Sequence, residues 1–482
     1  MREAGFNWGG TLAPPPGGRR HRAFDGQMGG AAGSVLPHGN GRSYGDSGLN
    51  DAGLLLTPAE PARIHHFDAQ TGVIDADSGV LLRDVTERVV PAGWFLPVTP
   101  GTQFVTLGGA LANDVHGKNH HRRGTFGRWV ESFDLRRSDR PDALLCSRDE
   151  NADLFHATIG GMGLTGFVTR LRLRLMRVGS ASIEEVTHRF DRLADYFAQA
   201  EAADARHEYA VAWIDSLARG SAFGRGHLIC GDHALKGDRV GKARAPLASV
   251  PWTPPVSPLR GLGLRAFNEA YFRKAARGTS RRTVPFDGFF YPLDRVGGWN
   301  RLYGPRGLHQ HQSVVPEAGA PETIRALMET ALAHGQGSFL TVLKRFGALE
   351  GAGLLSFPMA GYTLTLDFPH LGERTERLLE ALDAIVVAAR GRVNPYKDAR
   401  MSPATFAASF PRWRELEALR DPTCLSDFWR RTALRLEAAP TATRACDRKA
   451  FVEPLREDLR DLNRPTGPER HSVRHSNERE RS

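Results

Sequence analysis

The chain has 482 residues, more than one hydrophobic core usually serves, so two domains or a discontinuous pair are expected. Hydrophobic residues at 41% and charged ones at 24% exclude a chain disordered throughout, and no run of about 18 uncharged apolar residues exists to span a membrane. The formal net charge of +10 favours anionic partners, but no zinc-finger, helix-turn-helix or RNA-recognition signature accompanies it, so no nucleic-acid partner is expected.

The first thirty residues contain Gly, Pro and Arg without the apolar run of a secretion signal. The first glycine-dense stretch follows, HGNGRSYGD over residues 38–46. Three glycines around Arg42, Ser43 and Tyr44 let backbone N–H groups approach an anion such as a pyrophosphate, although a tight structural turn explains glycines too. Over 52–133 short apolar runs punctuated by Gly, Pro and Asp predict short strands, with a helix over 82–92.

The second glycine stretch, over 100–127, has Gly108, Gly109 and Ala110 where a helix begins, followed by His116, Lys118, Asn119, His120 and His121. The three histidines lack a Cys partner or the HExxH spacing, so no metal is expected, and His120 and His121 read as loop histidines. In the third stretch Gly161, Gly163 and Gly166 formally satisfy G-x-G-x-x-G, but the chain runs straight on into FVTRLRLRLMRV. There leucines alternate with arginines, which predicts a half-buried strand where a nicotinamide-binding Rossmann unit would need a helix.

Beyond about residue 180 helical spacing appears over 190–204 and in ETIRALMETALAHG and TERLLEALDAIVVAA, the last two each followed by a strand. This reads as an antiparallel sheet covered on one side by helices, hence an α+β class. Residues 237–282, rich in Pro, Arg and Lys around Trp252, are expected to be a mobile or partner-dependent insertion, and the polar tail over 438–482 to be disordered. The four cysteines lie far apart, which fits a reducing compartment and no disulfide framework.

The three glycine stretches, in this order and spacing, resemble the FAD-binding domain of the vanillyl-alcohol oxidase and p-cresol methylhydroxylase (PCMH-type) flavoprotein superfamily. More narrowly, GRSYGDSGLN, VTPGTQFVTLGGALANDVHGKNHH, DLFHATIGGMGLTG, GWNRLYGPRG, LKRFG and KDAR resemble the decaprenylphosphoryl-β-D-ribose oxidase family, over about residues 6–436. The resemblance implies a two-subdomain FAD-binding domain over 6–180 and a substrate-binding sheet domain over 181–391. A segment over 392–436 would return to the FAD domain, leaving the tail 437–482.

Carried over by motif, the implied FAD contacts are Gly39, Asn40, Gly41, Arg42, Ser43, Tyr44, Thr102, Thr106, Gly109, Asn113, His116 and Gly117. Asn113 stands where the ribose oxidases have a cysteine. Several members of the superfamily attach FAD covalently to a histidine in the first glycine loop; Ser43 stands there, so the flavin is expected to be noncovalent. Implied substrate contacts are Gln312, Lys344, Thr365 and Lys397, with Thr365 and Thr363 replacing the family's active-site cysteine and a neighbouring asparagine.

Hydride loss from a carbinol leaves a proton to remove, and a cation beside the developing alkoxide lowers that barrier. Lys397 is the first choice for that catalytic role and His116 the second. Lys344 is expected to pair with a substrate phosphate, although LKRFG alone also fits a surface lysine. The implied reaction oxidises a sugar hydroxyl to a ketone at flavin N5, here the 2-hydroxyl of a polyprenylphosphoryl-β-D-ribose on the way to arabinose. The alternatives are an alditol or aldonolactone oxidase using oxygen, or a flavin-binding partner of a membrane enzyme without turnover. A reductase partner and a cytoplasmic location with peripheral membrane contact through 252–272 complete the expectations.

Overall fold

The computed structural model describes residues 7–28 and 33–438, so nearly all of the tail expected to be disordered lies outside the described residues. Side-chain alternation decides the first sheet. In Phe167–Arg174, Leu171 and Leu173 are buried while Arg172 and Arg174 face outward, the period of two that its leucines and arginines predict. Its neighbours complete a five-stranded antiparallel sheet in the order Ile64–Asp68, Val73–Asp77, Phe167–Arg174, Val130–Arg136, Leu144–Ser147. Arg170 donates to Asp75 on the adjoining strand at 2.6 Å, so part of the arginine face is spent on cross-strand ion pairs. Helix Leu82–Val89 buries Leu82, Val85 and Val89 in the same core. Each such residue contributes about 1.5–3 kcal/mol of burial.

A smaller parallel sheet orders His21–Ala23, Leu54–Thr57 and Val35–Pro37. The chain near residue 424 comes back to its edge: Val35 N donates to Thr423 O at 2.8 Å and Leu425 N to Val35 O at 2.9 Å. Arg431 ties the same return to the first glycine stretch, donating to Asp46 at 2.7 Å and to Asp398 at 2.6 Å.

The second large sheet has eight strands, all paired antiparallel: Thr279–Pro285, Ser182–Phe190, Gly226–His233, Tyr209–Ile214, Val342–Phe346, Gly361–Pro369, Leu308–Val315 and Arg392–Val393. Its two faces sort by residue parity. Ala212, Leu228, Cys230, Leu343, Leu364 and Leu366 point to the helices Leu193–Arg206, Ala320–Ala333 and Glu373–Ala388, with which they form one core. Val211, Trp213, Ile229, Val342, Lys344 and Thr365 point the other way, into a cavity. The mixed helices and antiparallel sheets make the chain α+β.

The helix expected from residue 190 starts at Leu193, because Phe190 closes a strand opposite Gly226. The segment expected to be a mobile or partner-dependent insertion carries regular structure, namely helix Gly261–Lys274, a two-residue strand at Ala248–Ser249 and the start of strand Thr279–Pro285. Leu264, Asn268 and Phe272, one stripe at four-residue spacing, are buried, and Asn268 Nδ2 donates to Asp215 Oδ1 at 2.8 Å. The prolines lie before the helix, in the turn that enters it, and do not break it.

Candidate active site

The strand Val35–Pro37 delivers the chain into the first glycine stretch, and close backbone approach requires its glycines. Gly41 sits at φ +58°. A Cβ on Gly39 would come within 2.7 Å of Thr106 Oγ1, and one on Gly45 would overlap the carbonyl oxygen of Asp398. The second stretch is locked to the first: Asn40 Nδ2 donates to Phe104 O at 2.8 Å, and Thr106 Oγ1 accepts from Gly109 N at 3.0 Å, capping helix Leu107–Ala112. The Arg42 guanidinium lies over the rings of Trp8 (4.6 Å) and Phe104 (5.1 Å). The third stretch adds Gly163 at φ +76° and Gly166 at φ +138°.

Together these stretches and the inner face of the eight-stranded sheet enclose a cavity of about 440 Å³, a size typical of cofactor and ligand sites. All of the implied FAD and substrate contacts line it: Gly39, Asn40, Gly41, Arg42, Ser43, Tyr44, Thr102, Thr106, Gly109, Asn113, His116 and Gly117 from the glycine stretches, and Gln312, Lys344, Thr365 and Lys397 from the sheet side; Asn119, His120, His121 and Thr363 do not. Thr102 Oγ1 donates to Asp294 Oδ2 at 3.1 Å, and Asn113 Nδ2 to Gly109 O at 2.9 Å.

Gln312 organises the polar end. Its Oε1 accepts from Asn394 Nδ2 at 2.9 Å, which turns Nε2 toward His116 Nε2 at 3.0 Å and Thr363 Oγ1 at 3.3 Å. An amide NH₂ only donates, so His116 Nε2 accepts and its proton sits on Nδ1. Burial, with Lys344, His120 and Lys397 adding positive charge nearby, holds the His116 imidazole well below its ordinary pKa and hence neutral. The other two histidines, expected to be solvated loop residues, are instead turned inward from the short helix His120–Arg123: His120 packs 4.4 Å from the Phe346 ring, and His121 Nε2 approaches His207 O at 3.1 Å.

Three half-buried lysines surround this network. Lys344 sits opposite Thr363 on the neighbouring strand, and burial with the charges of Lys118 and Lys397 lowers its pKa to about 7. Lys397 lies over the Tyr44 ring at 4.2 Å, its pKa lowered by burial to about 8 against the opposing pull of Asp367. Lys118 donates to Phe289 O and rests over the Phe289 ring, and burial lowers it to about 8. Burial pushes Asp367 up to about 7; Gln310 Nε2 donates to it at 2.6 Å and Tyr303 OH at 3.4 Å. Lys118 was noted in the sequence as a polar group of the second glycine stretch but given no role there; Asp367 and Gln310 were missed, and their signals were polar residues two apart in TLDFP and LHQHQ.

The arrangement pairs glycine-lined backbone and a ring-stacked guanidinium, suited to a dinucleotide diphosphate, with a cationic, hydrogen-bonding wall suited to an anionic polar substrate. These residues fit FAD.

Comparison with known proteins agrees. The FAD binding domain family matches residues 31–139. Decaprenylphosphoryl-β-D-ribose oxidase of Mycolicibacterium smegmatis is 34% identical over 417 residues, covering 83% of this chain and 89% of that protein. An uncharacterized protein in the mprA 5' region of Streptomyces coelicolor is 36% identical over 372 residues, covering 74% of this chain and all of that protein. Cytokinin dehydrogenase 7 of Oryza sativa subsp. japonica is 29% identical over 146 residues, covering 30% of this chain and 28% of that protein. With 34% identity over 83% of its length to that oxidase and a glycine-lined cavity that fits FAD, the chain belongs to the decaprenylphosphoryl-β-D-ribose oxidase family of FAD-dependent oxidoreductases.

Proposed function

We propose that the chain oxidises the 2-hydroxyl of a polyprenylphosphoryl-β-D-ribose to the ketone, the first half of an epimerisation to arabinose that a partner reductase completes. The observation that carries this reading is the convergence of Lys344, Lys397, Gln312 and His116 in one cavity with the glycine stretches. The bound flavin supplies a hydride acceptor. It is held noncovalently by Gly39 to Tyr44 of the first stretch and by Thr102, Thr106, Gly109, Asn113, His116 and Gly117 of the second.

The chain's own residues have four tasks. Lys344 faces the substrate phosphate as a point charge, and that anion raises its lowered pKa and keeps it protonated. Gln312, clamped by Asn394, fixes the His116 ring at the end of the cavity that takes the sugar. Lys397, mostly protonated at neutral pH, sits beside the carbinol oxygen and stabilises negative charge there as the C–H bond breaks. The hydroxyl proton passes to neutral His116 when the sugar hydroxyl takes the place of the Gln312 amide at Nε2, the ring's one acceptor.

A second reading, a free alditol or aldonolactone oxidase using oxygen, is favoured by Thr363 and Thr365 standing where the family has asparagine and cysteine. Turnover on a polyprenylphosphoryl pentose compared with free sugars separates the two. Loss of flavin absorbance near about 450 nm, a property of flavins in general, excludes a flavin-binding partner without turnover.

A further inference from the structure

Among the described residues, all the exposed large hydrophobic side chains except Leu145 fall within residues 235–267. Leu235 is 89% exposed, Leu262 83%, Leu247 78% and Trp252 70%. The same part of the chain carries most of the surplus charge: residues 235–282 hold eleven Lys and Arg against two acidic residues, in a protein of net charge +10. Arg244, Arg273 and Arg282 are held in ion pairs by Asp287, Glu269 and Glu185. Lys236, Lys242, Arg260 and Arg265 stand exposed among the apolar side chains.

This surface adjoins the cavity. Leu247 N donates to Arg295 O at 2.8 Å, one residue from Asp294 in the cavity wall. Phe267 stacks at 5.8 Å on Tyr271, which lines the cavity.

We propose that the surface formed by residues 235–267 docks onto the headgroup region of an anionic phospholipid bilayer. Exposed Leu and Trp side chains gain by leaving water only where apolar matter receives them, and exposed basic side chains gain only against negative charge. An anionic bilayer supplies both at one boundary, Trp at headgroup depth and Lys and Arg against phosphate. A nucleic acid duplex offers no apolar bed for Leu247, Trp252 and Leu262. A second copy of this chain would set one cationic face against another. The inference deepens the reading of a lipid-linked substrate, since the docked face brings the cavity wall to the surface where a polyprenyl tail is anchored.

The test is sedimentation of the full-length, flavin-loaded protein with vesicles of phosphatidylcholine alone or with added phosphatidylglycerol, without substrate. Partition to the anionic vesicles is expected to exceed that to neutral ones by on the order of 10-fold and to weaken as salt rises. The Leu247→Glu/Trp252→Glu/Leu262→Glu variant should lose on the order of 10-fold in partition while keeping its flavin. Lys242→Glu/Arg265→Glu, which leaves every apolar side chain in place, should also weaken partition. Pelleting that ignores phosphatidylglycerol, or apolar variants that pellet like the parent, would overturn the proposal. Tight binding of a DNA duplex unaffected by the apolar substitutions would do the same. Because no substrate is present, a protein that binds vesicles yet leaves a polyprenylphosphoryl pentose unoxidised refutes the proposed reaction and not the docking, and the converse result does the opposite.

Discussion

Replacing Lys397 by Met keeps most of the side-chain volume and removes the ammonium. Lys397 lies half-buried over the Tyr44 ring at 4.2 Å, and its charge is opposed by Asp367, whose pKa is already raised to about 7. Once Lys397 is gone, Asp367 takes up a proton more readily, so no bare charge is stranded and the fold tolerates the change. The loss falls on the transition state. A preorganised donor aimed at developing oxyanion charge in a water-poor site is worth about 2.7–4 kcal/mol, so kcat should drop by roughly 10² to 10³. Flavin content and KM should stay near those of the parent.

The pH dependence follows with its sign. Lys397 is protonated below about 8 and neutral above it, so the parent loses activity as pH rises through that value. The variant should lack that limb. Anaerobic stopped-flow recording of flavin reduction across pH, with a polyprenylphosphoryl pentose as substrate, measures both effects. A variant that reduces flavin within about threefold of the parent rate, or that keeps the alkaline limb, would remove Lys397 from the chemistry.

Lys344→Met should raise KM for a phosphate-bearing substrate by about 10- to 100-fold, the worth of a charge-assisted contact of roughly 1.5–3 kcal/mol, and leave KM for a free sugar unchanged; steady-state kinetics on the two substrates decide it. Gly39→Ala sets a methyl 2.7 Å from Thr106 Oγ1, so the purified protein should carry less flavin, read from its visible absorbance. Thr365→Cys should create a thiol that iodoacetamide labels and substrate protects, whereas Cys146, Cys230 and Cys424 are buried and should stay unlabelled in a peptide map. Gln312→Leu leaves Asn394 Nδ2 and His116 Nε2 without their partner, and the melting temperature should fall in keeping with a loss of about 1–3 kcal/mol.

The strand Phe167–Arg174 was legible because one face meets water, and its Leu-Arg alternation writes the sheet's inside and outside directly. The strands Tyr209–Ile214 and Gly361–Pro369 were not, since every residue in them is buried, helices covering one face and the cavity lying against the other. Composition misled at residues 237–282: prolines and arginines suggested irregularity, while Leu264, Asn268 and Phe272 were enough to seat a helix. The glycine stretches stood out because backbone that must approach a ligand closely has little choice of residue. Asp367 was hidden because a carboxylate in a strand looks like surface until the strand proves to be central.

The proposed reaction requires this cavity to bring a flavin and a lipid-linked pentose together. Its most direct measurement is the visible spectrum of the purified, flavin-loaded protein before and after anaerobic addition of a polyprenylphosphoryl-β-D-ribose, followed by acid precipitation. Bleaching near about 450 nm is expected and, in the reoxidised protein, yellow colour left in the acid supernatant. A spectrum unmoved by the lipid-linked pentose but bleached by a free alditol, or a flavin that stays with the precipitate, would contradict it.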